Sequence, residues 1–513
     1  MAVDTAKSVM ESAIHALLIL LDYGHPIRYT EEEAAADPAL PSVYIDDTEA
    51  QGFNVFRCFL GSIDAPDQLN FIYRGFVRLL NNCHQAESAY LPFSITRVGI
   101  EQELLILLWK CLEEMPAFMP YVLKSCDVNQ LLVPLCYFLL DGRKDPSKVG
   151  LMYLCTFTVL KLSGERSFSV ALNKPFQLQQ LPIDIPVFTG CHADLLIIVL
   201  HKLIVSGSEK LSALYSCFLT IICNISPYCK SLSSVASIKL INLLQLFVSP
   251  KFLFAAESNH MYVSMLLESL NNIIQYQYEG NAQMIYSIIR RKEIFDSISE
   301  LTLPAALRDA HSMTQIGDNG GTNRSAAAAL ALAAAEDKSS HEAAAEEGDS
   351  IEPCADATPT DLISTTSKLS NAASTAHADK VPSDVKHSRS TSNSSSSSHF
   401  MPSDEWLQAM KDELPLTTIA RLLKSLLPQI EERFGKKNDF NSDEKLVVEF
   451  LHSTTMVGLL PVPHPIVIRK YQPNRFTGLW FTAFQWGVIF TFNHLSTAMF
   501  DGKHVKLFIV QTM

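Results

Sequence analysis

The chain lacks the local signatures of the common catalytic sites. No G-x-G-x-x-G and no G-x-x-x-x-G-K-[ST] run occurs, so backbone N–H groups are not gathered at a strand-to-helix turn to cradle phosphate, and nucleotide hydrolysis is disfavoured. G-x-S-x-G and H-E-x-x-H are also missing, which removes the nucleophile elbow and the helical zinc protease. A triad assembled from distant residues leaves no such trace and stays open. Positive charge is scarce: 41 Lys and Arg stand against 54 Asp and Glu, a net charge of -13, so the basic footprint of nucleic-acid binding is not there. The 11 cysteines include no C-x-x-C pair, and Cys111, Cys136, Cys155, Cys217 and Cys223 sit inside apolar runs. They read as reduced core thiols of a cytosol-facing protein, which makes the sequons at Asn224, Asn323 and Asn393 silent matches. The first residues, MAVDTAKSVMESAIHALLILLDYG, lack the basic start, apolar stretch and small-residue cleavage site of a signal peptide.

What the chain has in quantity is apolar surface. Hydrophobic residues make up 48% against 19% charged, so helices buried on several sides are expected, or a surface that meets a partner or lipid. From Ala6 to about Ile298 one helical pattern follows another. Phe71, Ile72, Phe76, Leu79 and Leu80 recur at three- and four-residue spacing, predicting one buried stripe. Glu101 to Glu114 and Leu214 to Ile225 are apolar around most of their circumference and need neighbours on two sides. Pro116, Pro120, Pro134, Pro146, Pro182, Pro186, Pro227 and Pro250 fall mainly near the ends of such runs, where a missing N–H costs least. No clean repeat period is visible, and the rhythm is that of irregular helical pairs. The expected fold is all-α: an irregular α-solenoid of the HEAT or armadillo type, with a globular all-helical domain as the alternative.

Residues 1–302 are assigned to the helical solenoid and 303–402 to a disordered low-complexity linker, because Ala, Ser, Thr, Asp and Glu dominate there and leave too little bulky apolar surface to offset ordering entropy. Its Ser388 and Ser390 flank Arg389 and are possible phosphosites, with a passive spacer as the competing reading. Residues 403–456 are expected to be C-terminal helices packing on the solenoid, with Leu422, Leu423, Leu426, Leu427 and Ile430 on one stripe. Residues 457–513 are expected to form a Pro-rich strut and a small antiparallel β meander, its strands at Ile466–Tyr471, Phe484–Phe492 and Val505–Val510. Two uncharged stretches, between Lys210 and Lys230 and from Phe476 to Phe500, are long enough for a membrane span. The first reads as a doubly buried helix and the second as β-structure, since Phe484, Trp486, Val488, Phe490 and Phe492 alternate.

The candidate chemistry is thin. Adjacent Cys191 and His192 point in different directions around a helix, so direct activation is geometrically poor, and Asp194 is expected to serve the helix's first turn. His464, between Pro463 and Pro465, is read as a hydrogen-bonded turn residue rather than a pH sensor. Arg469, Lys470 and Arg475, with Trp480, Phe481 and Trp486 downstream, combine charge with interfacial rings and form a candidate partner or membrane surface, with a packed sheet carrying ordinary edge charges as the competing reading. Arg290, Arg291 and Lys292 are taken as a solvated helix end. No catalytic, cofactor-binding or metal-ligating set is expected.

Several stretches carry a resemblance. LNKPFQLQQLPIDIPVFTGCHADLLI at Leu172 to Ile197 and VGLLPVPHPIVIRKYQ at Val457 to Gln472 lead it, joined by VLKSCDV (Val122 to Val128), SGERSF (Ser163 to Phe168) and NNIIQYQYEGN (Asn271 to Asn281). Through them the chain resembles the high-temperature-induced dauer-formation protein family, relatives of dymeclin. The resemblance implies a non-enzymatic, cytoplasmic protein, peripheral on Golgi and trans-Golgi membranes, that supports secretory-granule or dense-core vesicle biogenesis and cargo sorting. It implies trafficking proteins and the Golgi membrane surface as partners, and no small-molecule substrate. Family members begin with a longer N-terminal part and a Met-Gly myristoylation start; Ala2 stands here where that Gly would be needed, so the modification is not assigned.

Overall fold

Helices without a polar face must be enclosed, and three such helices organise this protein. The structure, a computed structural model of the chain, describes residues 2–23, 54–88, 95, 97–177, 184–206, 209–303, 400, 402–435, 444–455 and 458–495. These divide into two units, one from residues 1–127 and 477–513, the other from 128–476. The first begins with α1 (Ala2–Asp22), α2 (Val55–Gly61), α3 (Pro66–Ser88), α4 (Glu101–Glu114) and α5 (Phe118–Ser125). The second holds α6 (Asn129–Gly142), α7 (Val149–Ser163), α8 (Arg166–Ala171), β1 (Pro175–Phe176), β2 (Gly190–Cys191), α9 (His192–Ser206), α10 (Tyr215–Ile225), α11 (Ser234–Val248), α12 (Pro250–Leu253), α13 (His260–Tyr276), α14 (Ala282–Arg290), α15 (Lys292–Glu300), α16 (Asp404–Glu413), α17 (Thr417–Phe434) and α18 (Glu444–Ser453). The last described helix, α19 (Arg475–Leu495), lies almost wholly in the first unit.

In the second unit α7 is buried all round from Leu151 to Leu160, α9 from Ala193 to His201, and α10 from Cys217 to Ile225. Each therefore packs on both sides. One row runs α7, α10, α13, and α17 extends it; a second runs α6, α9, α11, α14, and α18 extends that. Burial of long apolar side chains at roughly 2 kcal/mol each drives this layering. Leu422, Leu423, Leu426 and Ile430 are buried on α17 as the stripe predicts, and Leu427 is half-buried. The apolar run Leu211–Tyr228 is long enough to cross a membrane, and 78% of it is buried inside this unit. The sheet is one antiparallel pair, Pro175 opposite Cys191 and Phe176 opposite Gly190.

Several polar side chains of the second unit converge on one loop. Residues 226–233, between α10 and α11, leave backbone groups that no helix satisfies. Asn173 donates to the Tyr228 carbonyl (2.9 Å) and accepts from Lys230 N–H (2.9 Å). Fully buried Asn281 accepts from Leu232 N–H (3.0 Å) and donates to the Cys229 carbonyl (2.9 Å). Gln277 donates to the Pro227 carbonyl at 2.8 Å. Asp194, also fully buried, accepts from Cys191 N–H and Ser233 N–H, both at 2.7 Å. Gly280 lets the chain pass, since a Cβ there would stand 1.9 Å from the Lys230 carbonyl oxygen.

In the first unit Asn54 joins two helices, accepting from Phe56 and Arg57 N–H at the start of α2 while donating to the Leu20 carbonyl near the end of α1. Asp22 gathers three donors, Trp486 Nε1 at 2.9 Å and Arg57 and Lys110 at 3.4 Å. Phe481 of α19 stacks on Trp109 of α4 with centroids 4.5 Å apart, and Gln485 donates to the Leu18 carbonyl at 2.9 Å.

Four expectations are corrected. Residues 484–492 are helical, because Trp480 stacks on Phe484 one turn away and the buried Thr477, Gln485 and Ile489 lie on a helical spacing. Residues 466–471 join no strand, and those of 505–510 lie outside the described residues, as do 304–399 of the linker with Ser388 and Ser390. Phe71 is 81% exposed; the buried stripe of α3 is Leu69, Tyr73, Phe76, Leu80, Cys83 and His84. Pro134 sits inside α6 rather than at an end.

Two outcomes follow. Asp194→Ala orphans two buried N–H groups and is expected to lower stability by about 3 kcal/mol in urea unfolding of the full chain, with a loss under about 1 kcal/mol contradicting the role assigned to the carboxylate. Burial, and next the Lys239 charge, push His201 down to about 3. The unfolded chain takes up that proton near pH 6.5, so between about pH 6.5 and 3 it binds more protons than the folded chain and stability falls with pH. The unfolding temperature should drop from pH 7 to 5, and His201→Leu should shrink the drop.

Candidate functional site

From residue 458 the chain runs without regular structure through Pro461, Pro463 and Pro465 before α19. Proline fixes its own φ and pushes the residue before it out of the helical region, so Leu460, Val462 and His464 are biased to extended backbone. This strap ends on the α7–α10–α13 row. The Tyr276 hydroxyl of α13 donates to the His464 carbonyl; the expected turn does not form at this residue, and the bond is made by its backbone.

At Arg469 the contact becomes a clamp. The Asn224 carboxamide on α10 accepts from Arg469 N–H at 2.8 Å and donates to the Arg469 carbonyl at 2.9 Å. The N–H and C=O of one residue point to the same side only in extended backbone, so Asn224 here takes the place of a neighbouring strand. Ser163 Oγ accepts from the same carboxamide nitrogen at 3.1 Å and fixes its orientation. The guanidinium forks onto Glu268 of α13 at 2.9 and 2.7 Å, and one nitrogen also lies 3.1 Å from Cys223 Sγ. Bonding to Glu268 outweighs burial and raises the guanidinium pKa further, so this cation is permanent. Burial pushes the Cys223 thiol up to about 12, which keeps it a neutral acceptor.

Beside the clamp, Lys470 pairs with Glu165 at 2.8 Å, and its backbone passes next to Gly164, where a Cβ would lie in ordinary contact at 3.4 Å from Lys470 Cα. Tyr471 lies 6.1 Å from the Phe157 ring, with Lys161 Nζ 5.8 Å from its own centroid. The side chains of Arg469, Lys470 and Tyr471 thus each meet α7, α13 or the Glu165 that follows α7.

The sequence-singled residues therefore separate. Arg469 and Lys470 belong to the second unit and are engaged in ion pairs; Trp480 and Trp486 belong to the first, stacked on Phe484 and bonded to Asp22 respectively. Arg475 opens α19. His192 donates to the Lys174 carbonyl (2.8 Å), and burial pushes the Cys191 thiol up to about 12. Arg291 bonds Gln245 at 2.9 Å. No group of three His, Cys, Asp or Glu able to hold a metal occurs among the described residues. Glu268 and Glu165 were not singled out as partners by the sequence, and Asn224 was noted only as a silent sequon, because the three stand 201 to 305 positions from the residues they hold. The one available signal was that SGERSF supplies Ser163, Gly164 and Glu165, and VPHPIVIRKYQ supplies the strap.

The class defined here is a mostly helical protein in which, among the described residues, the distinctive side chains hold backbone segments in place. The Dymeclin family (Dyggve-Melchior-Clausen syndrome protein) matches residues 1–488, and the chain belongs to this family. It is 39% identical over 534 residues to Protein HID1 of Mus musculus, covering 99% of this chain and 65% of the relative. Protein HID1 of Homo sapiens gives the same identity and coverage, and that of Dictyostelium discoideum is 31% identical over 501 residues, covering 89% of this chain and 55% of the relative. The chain thus spans under two thirds of the length of these relatives. No solved structure matches it.

Glu268→Gln keeps the shape of the clamp and removes its charge. Since both side chains are partly exposed, the expected loss is about 1–2 kcal/mol, read as faster amide exchange across residues 464–472 with the buried helices unchanged. Unaltered exchange there would contradict the clamp.

Proposed function

We propose that this protein is a non-enzymatic scaffold, peripheral on the cytosolic face of Golgi and trans-Golgi membranes, that supports secretory-granule or dense-core vesicle biogenesis and cargo sorting. The observation that carries the reading is membership of the dymeclin family together with a helical second unit whose two rows repeat. The rows α7–α10–α13 and α6–α9–α11–α14 support an irregular α-solenoid, a fold whose use is an extended surface for several partners. The reactive groups agree with this: Cys111, Cys136, Cys155, Cys191, Cys217, Cys223 and Cys229 are all shifted upward by burial, away from the thiolate a nucleophile needs. The span-length run 211–228 is occupied by packing inside the second unit, which favours peripheral over integral attachment. Trafficking proteins and the membrane surface are the proposed partners.

Tagged full-length protein, expressed in secretory cells depleted of their own relative, should concentrate at the trans-Golgi, be released by carbonate extraction and restore granule cargo processing. Even distribution through cytosol and nucleus, with no effect on cargo, would end this proposal.

A further inference from the structure

We infer that the α7–α10–α13 row is a peptide-recognition face, that residues 464–471 are its resident occupant, and that the partner it fits is an extended segment reading Arg, Lys, aromatic.

Three features of the face favour a recognition site over ordinary packing. Asn224 reads main chain, bonding both the N–H and the C=O of a single residue, which any extended peptide offers. Glu268 and Glu165 read charge, one by a bidentate fork that suits guanidinium and the other by a point contact that suits ammonium. Phe157 and Lys161 then read an aromatic ring at the next position. All these side chains come from helices or their caps, and Ser163 holds Asn224 in place, so the face is preorganised without help from its occupant.

The occupant is attached unevenly. Arg469 is clamped, whereas Val462 is 85% exposed and residues 463–465 are exposed as well. Displacement can therefore start upstream and proceed toward the clamp. The resident segment competes at the high effective concentration of a tethered ligand, on the order of millimolar, so it acts as a built-in inhibitor that a free peptide must overcome.

The probe is a labelled peptide of the chain's own sequence Pro461–Gln472, titrated by fluorescence anisotropy into the full-length protein. In the double variant Arg469→Ala, Lys470→Ala the resident segment loses its grip while the face is untouched, and the peptide should bind at least tenfold more tightly than to the unaltered protein. Adding Asn224→Ala or Glu268→Gln to that variant, or replacing Arg by Ala in the peptide, should cancel the gain. Equal binding to the unaltered and doubly substituted proteins, or indifference to Asn224→Ala in variants with native circular dichroism, would overturn the inference. Should the double variant not fold, hydrogen exchange of the unaltered protein at millimolar peptide replaces it: residues 464–471 of the chain should exchange faster with this peptide than with a scrambled one, and identical exchange would overturn the inference equally.

Discussion

Enclosure of α7, α9 and α10 is the constraint on which the second unit depends. A helix apolar on every side cannot end a structure, and each of these demands a neighbour before it and after it. The neighbours are supplied by the two rows, which end on α17 and α18, where Glu431, Glu432, Arg433 and Glu449 stand exposed. Cooperative burial of this kind explains why the thiols within these helices are so far from ionising: no water reaches them.

Such layering creates a secondary difficulty at the connections. Where α10 gives way to α11 the backbone turns with much of its length buried, and Asn173, Asp194, Gln277 and Asn281 supply hydrogen bonds that its helices do not. An unsatisfied amide costs several kcal/mol in such surroundings, so these polar residues are as necessary as the leucines around them. The same logic operates at Arg469, where a side chain on a helix completes a backbone segment that has no strand beside it. Stretches that identify the chain without matching any catalytic pattern are thus explained: LNKPF, GCHAD, YQYEGN, SGERSF and VPHPIVIRKYQ supply the residues that hold or form these two irregular segments.

Helical order was legible where periodicity is local. The α17 stripe follows from spacing alone, and the doubly apolar runs announce their own enclosure. The polar anchors were not legible, since Asn224 meets Arg469 across 245 positions and nothing in either neighbourhood marks the pair. Residues 484–492 show the limit from the other side: Phe484, Trp486, Val488, Phe490 and Phe492 alternate as a strand does, yet Trp480 on Phe484 and Gln485 on Leu18 satisfy a helix better. Phe71 fits the apolar spacing of α3 and still faces outward, because the stripe that won is centred on Tyr73, whose hydroxyl donates to the Asp127 carbonyl. Candidate site residues were half legible: the charge of Arg469 and Lys470 was noticed, and its inward use was decided by carboxylates on helices far away in sequence.

The placement of α19 carries a consequence for how the chain is made. Leu18, Asp22 and Trp109 leave the ribosome before Gln485, Trp486 and Phe481, their partners, which emerge more than 370 residues after the last of them. The unit to which both sets belong is consequently completed only after the intervening residues of the other unit have been translated.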